Sequence, residues 1–317
     1  MVLLSVIVPM YNERECAQMC HGRISEVLSS IEIGGEKADF EIIFVDDGST
    51  DGTLAIIKSL AESDKRLKVI GLSKNFGQQA AFSAGMDYAK GDALVFMDAD
   101  LQDPPELVPE FVEKWREGCQ IVYGVRKRRK GESKFKRFSA KLYYRLLNVL
   151  ADVKIPQDAG DFRLIDKCVA EAVKKMPEHN RFLRGMSCWT GFRQASVEYE
   201  RDSRFSGRTK YGFFRMMKLA ADGILSFSAK PLKIVSLLGA FSLFASLLLF
   251  VYVLASIFSG NAEAGWASII CVASFFGGLQ LTAMGIIGEY IARIFEEVKR
   301  RPNYIVDFTA NIENAEK

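Results

Sequence analysis

Ala93-Leu94-Val95-Phe96-Met97-Asp98-Ala99-Asp100-Leu101-Gln102-Asp103-Pro104-Pro105-Glu106 joins an apolar run to an acidic, proline-closed loop. Ala93 to Met97 is an apolar run of strand length, and it ends in two carboxylates spaced i, i+2. On an extended or just-turning backbone that spacing points both carboxylates to one side. Pro104 and Pro105 stop the strand, and a proline suits the opening of the next helix, Glu106 to Trp115. Two carboxylates and the Gln102 amide at a strand's C-terminal edge form a hard-oxygen set, suited to Mg²⁺ or Mn²⁺ held against phosphates. Asp-x-Asp alone also suits a solvated acidic loop, so the neighbouring segments must decide between the two.

Leu3 to Val8, Ile42 to Val45, Leu67 to Gly71 and Ile121 to Tyr123 read as further buried strands. Helices are expected up to about Ser30, over Gly52 to Glu62 with Asp51 as N-cap, and to a point near Lys90. Strands alternating with helices predict an α/β protein with a doubly wound, mostly parallel sheet. Ligands of such sheets sit beyond the C-terminal ends of the strands. Three polar loops emerge there: Pro9 to Glu13, Asp46 to Asp51, and Asp98 to Gln102. Their convergence favours a site over a solvated loop. No Gly-x-Gly-x-x-Gly follows the first strand and no Gly-Lys-Ser/Thr loop occurs, which disfavours a dinucleotide dehydrogenase or a P-loop NTPase. A nucleotide would instead be gripped by loop carboxylates on base and ribose, with metal on the diphosphate.

The 317 residues leave room for one large α/β domain plus something extra. A net charge of +3 gives no global argument for nucleic acid, and none is expected as a partner. Cys16, Cys20, Cys119, Cys168, Cys188 and Cys271 lack Cys-x-x-Cys spacing, and only His21 and His179 could join them. Reduced, buried thiols are expected rather than a zinc site. The N-terminus runs straight into a strand pattern, so no cleavable signal peptide is expected.

Between Ile234 and Ala292 the charges are Glu263 and Glu289. Ile234 to Phe258 and Trp266 to Ile287 are therefore expected to span a bilayer, since ~20 apolar helical residues cross its ~30 Å core. Lys230 and Lys233 precede the pair, and Arg293, Lys299, Arg300 and Arg301 follow it. The positive-inside rule then puts both termini and the catalytic domain on the cytoplasmic side of a multi-pass protein of the inner (cytoplasmic) membrane. The expected organisation is a catalytic domain over 1–210, an interface helix over 211–229, a two-helix transmembrane hairpin over 230–294 and a cytoplasmic tail over 295–317. Oligomerisation through the spans is open.

Phe135, Phe138, Leu142 and Leu146 form one apolar stripe, with Lys134, Arg137, Lys141 and Arg145 along or beside it. Such a helix suits a membrane surface, where a lipid phosphate would meet its counter-charges; a core-facing helix with a solvated basic face is the alternative. Arg126, at a strand end, and Arg137 are the candidates for holding that phosphate.

Further motifs carry a resemblance. Pro9-Met10-Tyr11-Asn12-Glu13, Val45-Asp46-Asp47-Gly48-Ser49 and Asp98-Ala99-Asp100 resemble glycosyltransferase family 2, with its GT-A (nucleotide-diphospho-sugar transferase) fold. Leu101-Gln102-Asp103-Pro104, Gly160-Asp161-Phe162-Arg163-Leu164, Arg204-x-x-Gly207-x-x-Lys210-Tyr211 and Gly288-Glu289-Tyr290-Ile291-x-Arg293 resemble its polyprenyl-phosphate branch, as does Lys299-x-Arg301-Pro302-x-Tyr304. That branch holds the dolichyl-phosphate mannose synthases and the bactoprenol glucosyl transferases. The resemblance implies that Pro9, Tyr11, Glu13, Asp46, Asp47, Asn75 and Asp98 serve the nucleotide. It implies that Asp98, Asp100 and Gln102 hold the metal, with Asp100 and Asp161 catalytic. Arg163, Arg204 and Lys210 would join Arg126 and Arg137 on acceptor or diphosphate. Asp161 is the candidate base, with orienting the sugar or locking Arg163 as alternatives.

What the resemblance implies is an inverting, metal-dependent transfer of one hexose from a nucleotide sugar to polyprenyl phosphate. UDP-glucose is the favoured donor; GDP-mannose and other UDP-sugars are the rivals. A processive polysaccharide synthase would show Gln-x-x-Arg-Trp, which is missing here. A nucleotide-binding membrane scaffold or transport component is the reading from another class.

Overall fold

The computed structural model describes residues 2–126, 159–178, 181–200, 230–259 and 265–312. In chain order its strands are β1 (Leu3–Met10), the short hairpin β2 (Glu32–Ile33) and β3 (Glu36–Lys37), β4 (Asp39–Asp46), β5 (Leu67–Leu72), β6 (Ala93–Phe96), β7 (Ile121–Arg126), β8 (Ala159–Asp166), β9 (Gln194–Tyr199) and β10 (Val306–Ala310). The helices are α1 (Ala17–Ser29), α2 (Thr53–Ser63), α3 (Gln78–Tyr88), α4 (Val108–Arg116), α5 (Lys167–Lys174), α6 (Leu183–Trp189), α7 (Lys230–Phe258) and α8 (Trp266–Lys299). Two compact units result. One holds the described residues up to 200 together with 302–312; the other holds α7 and α8.

The first unit is built on an eight-stranded sheet in the order β10-β5-β4-β1-β6-β8-β7-β9. β1, β4, β5 and β6 pair in parallel, as do β7 and β9, while β8 and β10 oppose their neighbours. β1 faces β4 in register from Leu3 opposite Asp39 to Met10 opposite Asp46. That register brings the ends of both strands, and hence the loops after them, to one rim.

The apolar runs became central strands because both their faces are covered. Leu4, Val6, Val8, Ile42, Phe44 and Val95 join Cys20, Ile24 and Leu28 of α1 and Phe111 of α4 in one buried cluster. On the other face α3 packs on β1 and β4 at very short range. Gly85 permits it: a methyl group built there would lie 2.2 Å from Ile7 Cγ2 and 3.3 Å from Val45 Cγ2.

Each expected strand of the first 126 residues is present, several running further than predicted. The sequence reading missed β8, β9 and β10. In β8 the alternation is hidden because both faces are covered: Phe162 and Leu164 are buried on one side, and Arg163 on the other. The expected N-cap moves by one residue. Gly52, at φ 90°, precedes α2, and the Asp51 carboxylate bonds the Thr53 N–H at 3.0 Å from one position further back.

The tail expected from residue 295 is also corrected. No helix breaker follows Glu289, and α8 continues to Lys299, where Arg300 turns left-handed ahead of Pro302. The chain then adds β10 to the sheet edge, antiparallel to β5. Asn311 anchors it by donating to the carbonyls of Ala61 (2.6 Å) and Leu67 (2.8 Å), and the Tyr304 hydroxyl donates to Asp87 at 2.7 Å.

In the second unit α7 and α8 pack on each other and carry exposed apolar side chains, among them Phe241, Leu243, Leu281 and Met284. Two spans were expected. Among the described residues one segment, Phe275–Lys299, is long and apolar enough to cross a membrane, and Val235–Leu248 is a shorter apolar stretch. That segment runs past Ile287 and through Glu289, which pairs with Arg293 one turn on at 3.7 Å. The basic amphipathic helix around Arg137 and the interface helix over 211–229 lie outside the described residues.

Candidate active site

The loops after β1 and β4 are stitched together by side chain to backbone bonds. Asn12, held at φ 56°, donates its N–H to Ser49 Oγ at 3.0 Å and accepts the Thr50 N–H on its amide oxygen at 2.8 Å. The Glu13 N–H donates to Thr53 Oγ1 at 3.0 Å. Asparagine tolerates the left-handed region better than most residues, which is why the turn can form here. Pro9 lies opposite Val45 within the sheet, and Tyr11 stands exposed at the rim.

Asp46 and Asp47 close β4 and do different things. Both are buried. Asp47 accepts the amides of Phe76 at 2.7 Å and Gly77 at 2.9 Å, so both its oxygens hold the turn that carries Asn75. Burial raises its pKa against those two bonds. Gly48 completes the junction, since a methyl group there would lie 2.6 Å from the Lys74 carbonyl carbon. Asp46 spends Oδ2 on the Ser49 N–H at 3.1 Å, while its Oδ1 is buried with no partner among the described residues. A buried acceptor without a donor is costly, and a ligand donor is the ordinary remedy.

The acidic rim gathers carboxylates from two strands. Phe96 pairs with Arg163 across β6 and β8, and Asp98 and Asp161 each lie two residues beyond that pair. Asp98 is pushed up to about 7, first by burial and then by the negative charges of Asp161, Asp103 and Asp100, with Arg126 opposing. The first side chain of α3 reaches the same group: Gln78 Nε2 donates to Asp98 Oδ1 at 2.5 Å. Asp100 accepts the Gln102 N–H at 3.2 Å over Leu101, whose φ is 54°.

Hard oxygens carrying surplus negative charge fit Mg²⁺ or Mn²⁺. Among the described residues no group of three His, Cys, Asp or Glu side chains stands ready to hold an ion.

Arg126 and Arg163 are both held by groups of the fold. Arg126 donates to Asp103 at 3.4 Å and to the Tyr199 hydroxyl at 3.2 Å, and it lies across Gly160, 2.9 Å from where a methyl group would stand. Arg163 is only 4% exposed, with its terminal nitrogens given to Ser187 Oγ (2.7 Å) and the Gly160 carbonyl (3.0 Å). It is a buried brace behind the site, nor is it locked by Asp161. The partner of Asp161 is Arg184, whose Nη2 donates to its Oδ1 at 3.2 Å. Sequence reasoning missed Arg184, Tyr199 and Gln78, because each is defined by a contact across the fold and none completes a local motif; Asp103 stood in a motif, but its partners did not. Arg137, Arg204 and Lys210 lie outside the described residues. Cys16 and Cys20 are buried, and burial first, then Glu13 for Cys16 and Cys16 for Cys20, pushes their thiols up, Cys16 to about 11. Thiols held protonated are poor metal ligands.

The model of Glycosyl transferase family 2 matches residues 5–173, more than half of the chain. The chain belongs to glycosyltransferase family 2. This family 2 glycosyltransferase has the GT-A fold, with its mixed, mostly parallel sheet and the acidic rim at the C-terminal ends of the parallel strands. It is 46% identical over 311 residues to the uncharacterized glycosyltransferase YkcC of Bacillus subtilis, covering 98% of this chain and 95% of the relative. It is 38% identical over 309 residues to the prophage bactoprenol glucosyl transferase homolog of Escherichia coli K12, covering 96% and 98%. A solved glucosyl-3-phosphoglycerate synthase of Mycobacterium tuberculosis in complex with UDP aligns with a TM-score of 0.47 and 20% identity, covering 71% of this chain and 79% of that one.

Proposed function

We propose that this glycosyltransferase moves one hexose, with inversion, from a nucleotide sugar to polyprenyl phosphate at the cytoplasmic face of a membrane. UDP-glucose and undecaprenyl phosphate are the proposed pair. The observation that carries the reading is similarity along nearly the whole chain to proteins named bactoprenol glucosyl transferases. The exposed apolar helices α7 and α8 support membrane residence, and we take them as a hairpin with both termini cytoplasmic.

Asp46 would take a donor from the nucleoside on its unpartnered oxygen, with Pro9, Tyr11, Glu13 and Asn75 around it. Asp47 acts at one remove, by holding the Asn75 turn. Asp98, Asp100 and Gln102 would hold Mg²⁺ or Mn²⁺, which supplies charge neutralisation to the departing diphosphate. The acceptor phosphate has a second pKa of about 6 and is mostly dianionic at neutral pH, so it needs aim more than deprotonation. Its oxygen attacks the anomeric carbon from the face opposite the diphosphate. A β-linked lipid forms from an α-linked donor as the nucleotide diphosphate leaves. Asp161 is the carboxylate on the reacting side of the rim, and Arg137, Arg204 and Lys210 are the cations assigned to the lipid phosphate.

The test is transfer itself. Membranes carrying the protein are incubated with undecaprenyl phosphate, Mg²⁺ or Mn²⁺ and labelled UDP-glucose, GDP-mannose or UDP-N-acetylglucosamine, and the lipid is extracted. Label entering lipid from UDP-glucose alone is expected. Label from another donor alone would replace the sugar assignment, and no label from any donor would overturn the acceptor.

A further inference from the structure

Arg184 lies outside the stretch matched by the family model, at the second position of α6. Three contacts define it. The neighbouring Leu183 N–H donates to Gln79 Oε1 at 3.1 Å, which ties the start of α6 to the first turn of α3, beside the Gln78 that reaches Asp98. Its own Nη2 donates to Asp161 Oδ1 at 3.2 Å, with both side chains about one fifth exposed. Its Nε is buried and has no partner among the described residues.

The charges around this pair explain why it matters. Asp161 lies two residues beyond Arg163, the last β8 residue paired with β6, and its negative charge bears on Asp98, so the two carboxylates repel. Arg163, the cation nearest in sequence, is turned to Ser187 and Gly160. Burial and then the adjacent Arg184 charge push Arg163 down to about 10, so the fold sets two guanidiniums close together and gives Asp161 to the second. An arginine keeps its charge across the accessible pH range, and its planar fork fixes direction as well as charge.

We propose that Arg184 is a positioning residue for the transfer reaction, holding the Asp161 carboxylate in one orientation at the acidic rim. The inference rests on the transfer reaction proposed above. A lysine at this position would keep the charge and lose the fork, and an alanine would release Asp161 from that orientation.

The experiment uses the full-length protein with the donor that the wild type accepts. It compares Arg184→Ala, Arg184→Lys, Asp161→Asn and the Arg184→Ala/Asp161→Asn double variant. A misplacement of about 1 Å at a reacting centre costs on the order of 10²-fold, and a loss of kcat of that size is expected for Arg184→Ala. UDP affinity should stay within about twofold, as for a substitution away from the bound group. Arg184→Lys should fall between, added guanidinium should restore part of the Arg184→Ala rate, and the second substitution should cost nothing more in the Asp161→Asn background.

Three results would overturn the inference: wild-type kcat in Arg184→Ala, effects that multiply in the double variant, or a kcat loss matched by parallel losses of UDP affinity and melting temperature in both single variants. A wild-type protein that transfers hexose from no donor overturns the function reading and this inference with it. An active wild type with an unaffected Arg184→Ala overturns the inference alone.

Discussion

The hydroxyl of Tyr199 donates to the carboxylate of Asp103, a residue ninety-six positions earlier in the chain, and the bond is buried beneath the acidic rim. Asp103 is 0% exposed, and Arg126 closes the group from the other side by bonding both residues. The last residue of β9 thereby holds the loop that follows β6. Burial, then the Asp103 charge, raises the Tyr199 phenol above its ordinary value, which favours the donating hydroxyl.

Tyr199→Phe removes that donor from the buried Asp103 carboxylate. A buried acceptor that loses its partner costs about 1–3 kcal/mol, and stability should fall by that amount in urea unfolding of detergent-purified protein. Transfer should fall as well, because the Asp98 to Gln102 loop loses its anchor. Unchanged stability would mean that the buried hydroxyl carries no weight.

Gly85→Ala tests the packing of α3. Its methyl group would meet Ile7 Cγ2 at 2.2 Å, on a β-branched side chain fully buried in the central strand. Overpacking of this kind costs about 1–3 kcal/mol. A melting temperature equal to wild type would show that α3 can lift from the sheet at no cost.

Asp100→Asn and Asp46→Asn should separate chemistry from nucleotide binding. Loss of one group that stabilises developing charge costs about 10²–10³ in rate, expected for Asp100→Asn even at saturating Mn²⁺, with folding intact. Asp46→Asn should instead weaken UDP binding, by about 1.5–3 kcal/mol if a charged hydrogen bond is lost. Isothermal titration with UDP and the lipid assay distinguish them; near-normal turnover of Asp100→Asn would remove its assigned role.

Asp166 provides a pH test. Burial opposes ionisation, but bonds from Cys168, backbone N–H included, and from the Trp115 indole hold its carboxyl below the usual carboxylate value. A group depressed in the folded state contributes stability above its unfolded pKa, and that contribution is lost as pH falls through the folded value. Asp166→Ala should therefore lower stability at neutral pH by about 0.5–2 kcal/mol, the usual worth of an N-cap. The gap between variant and wild type should narrow as the pH drops below about 3.9, the ordinary aspartate value. A gap that stays constant down to pH 2 would contradict the assignment.

The central sheet was readable because its strands are continuous apolar runs, and the rim because each run ends in polar residues that a strand cannot bury. Asp46, Asp47, Asp98 and Asp100 follow directly from that. The roles within the group were not readable. Nothing local distinguishes Asp46, with an unpartnered oxygen, from Asp47, whose two oxygens are spent on Phe76 and Gly77. Likewise Arg126 and Arg163 look like phosphate ligands in the sequence, and only the fold shows them braced on Asp103, Tyr199, Ser187 and Gly160.

By itself the sequence determined the α/β class, the order of the parallel strands along the chain and the loops that meet at their ends, since alternation and chain breaks are local properties. Tertiary structure alone decided which charge answers which, that Asp161 belongs to Arg184, and that the segment after α8 returns as β10. Those depend on strand register and on competition among buried groups for the same few partners, and neither quantity is written in any one stretch of chain.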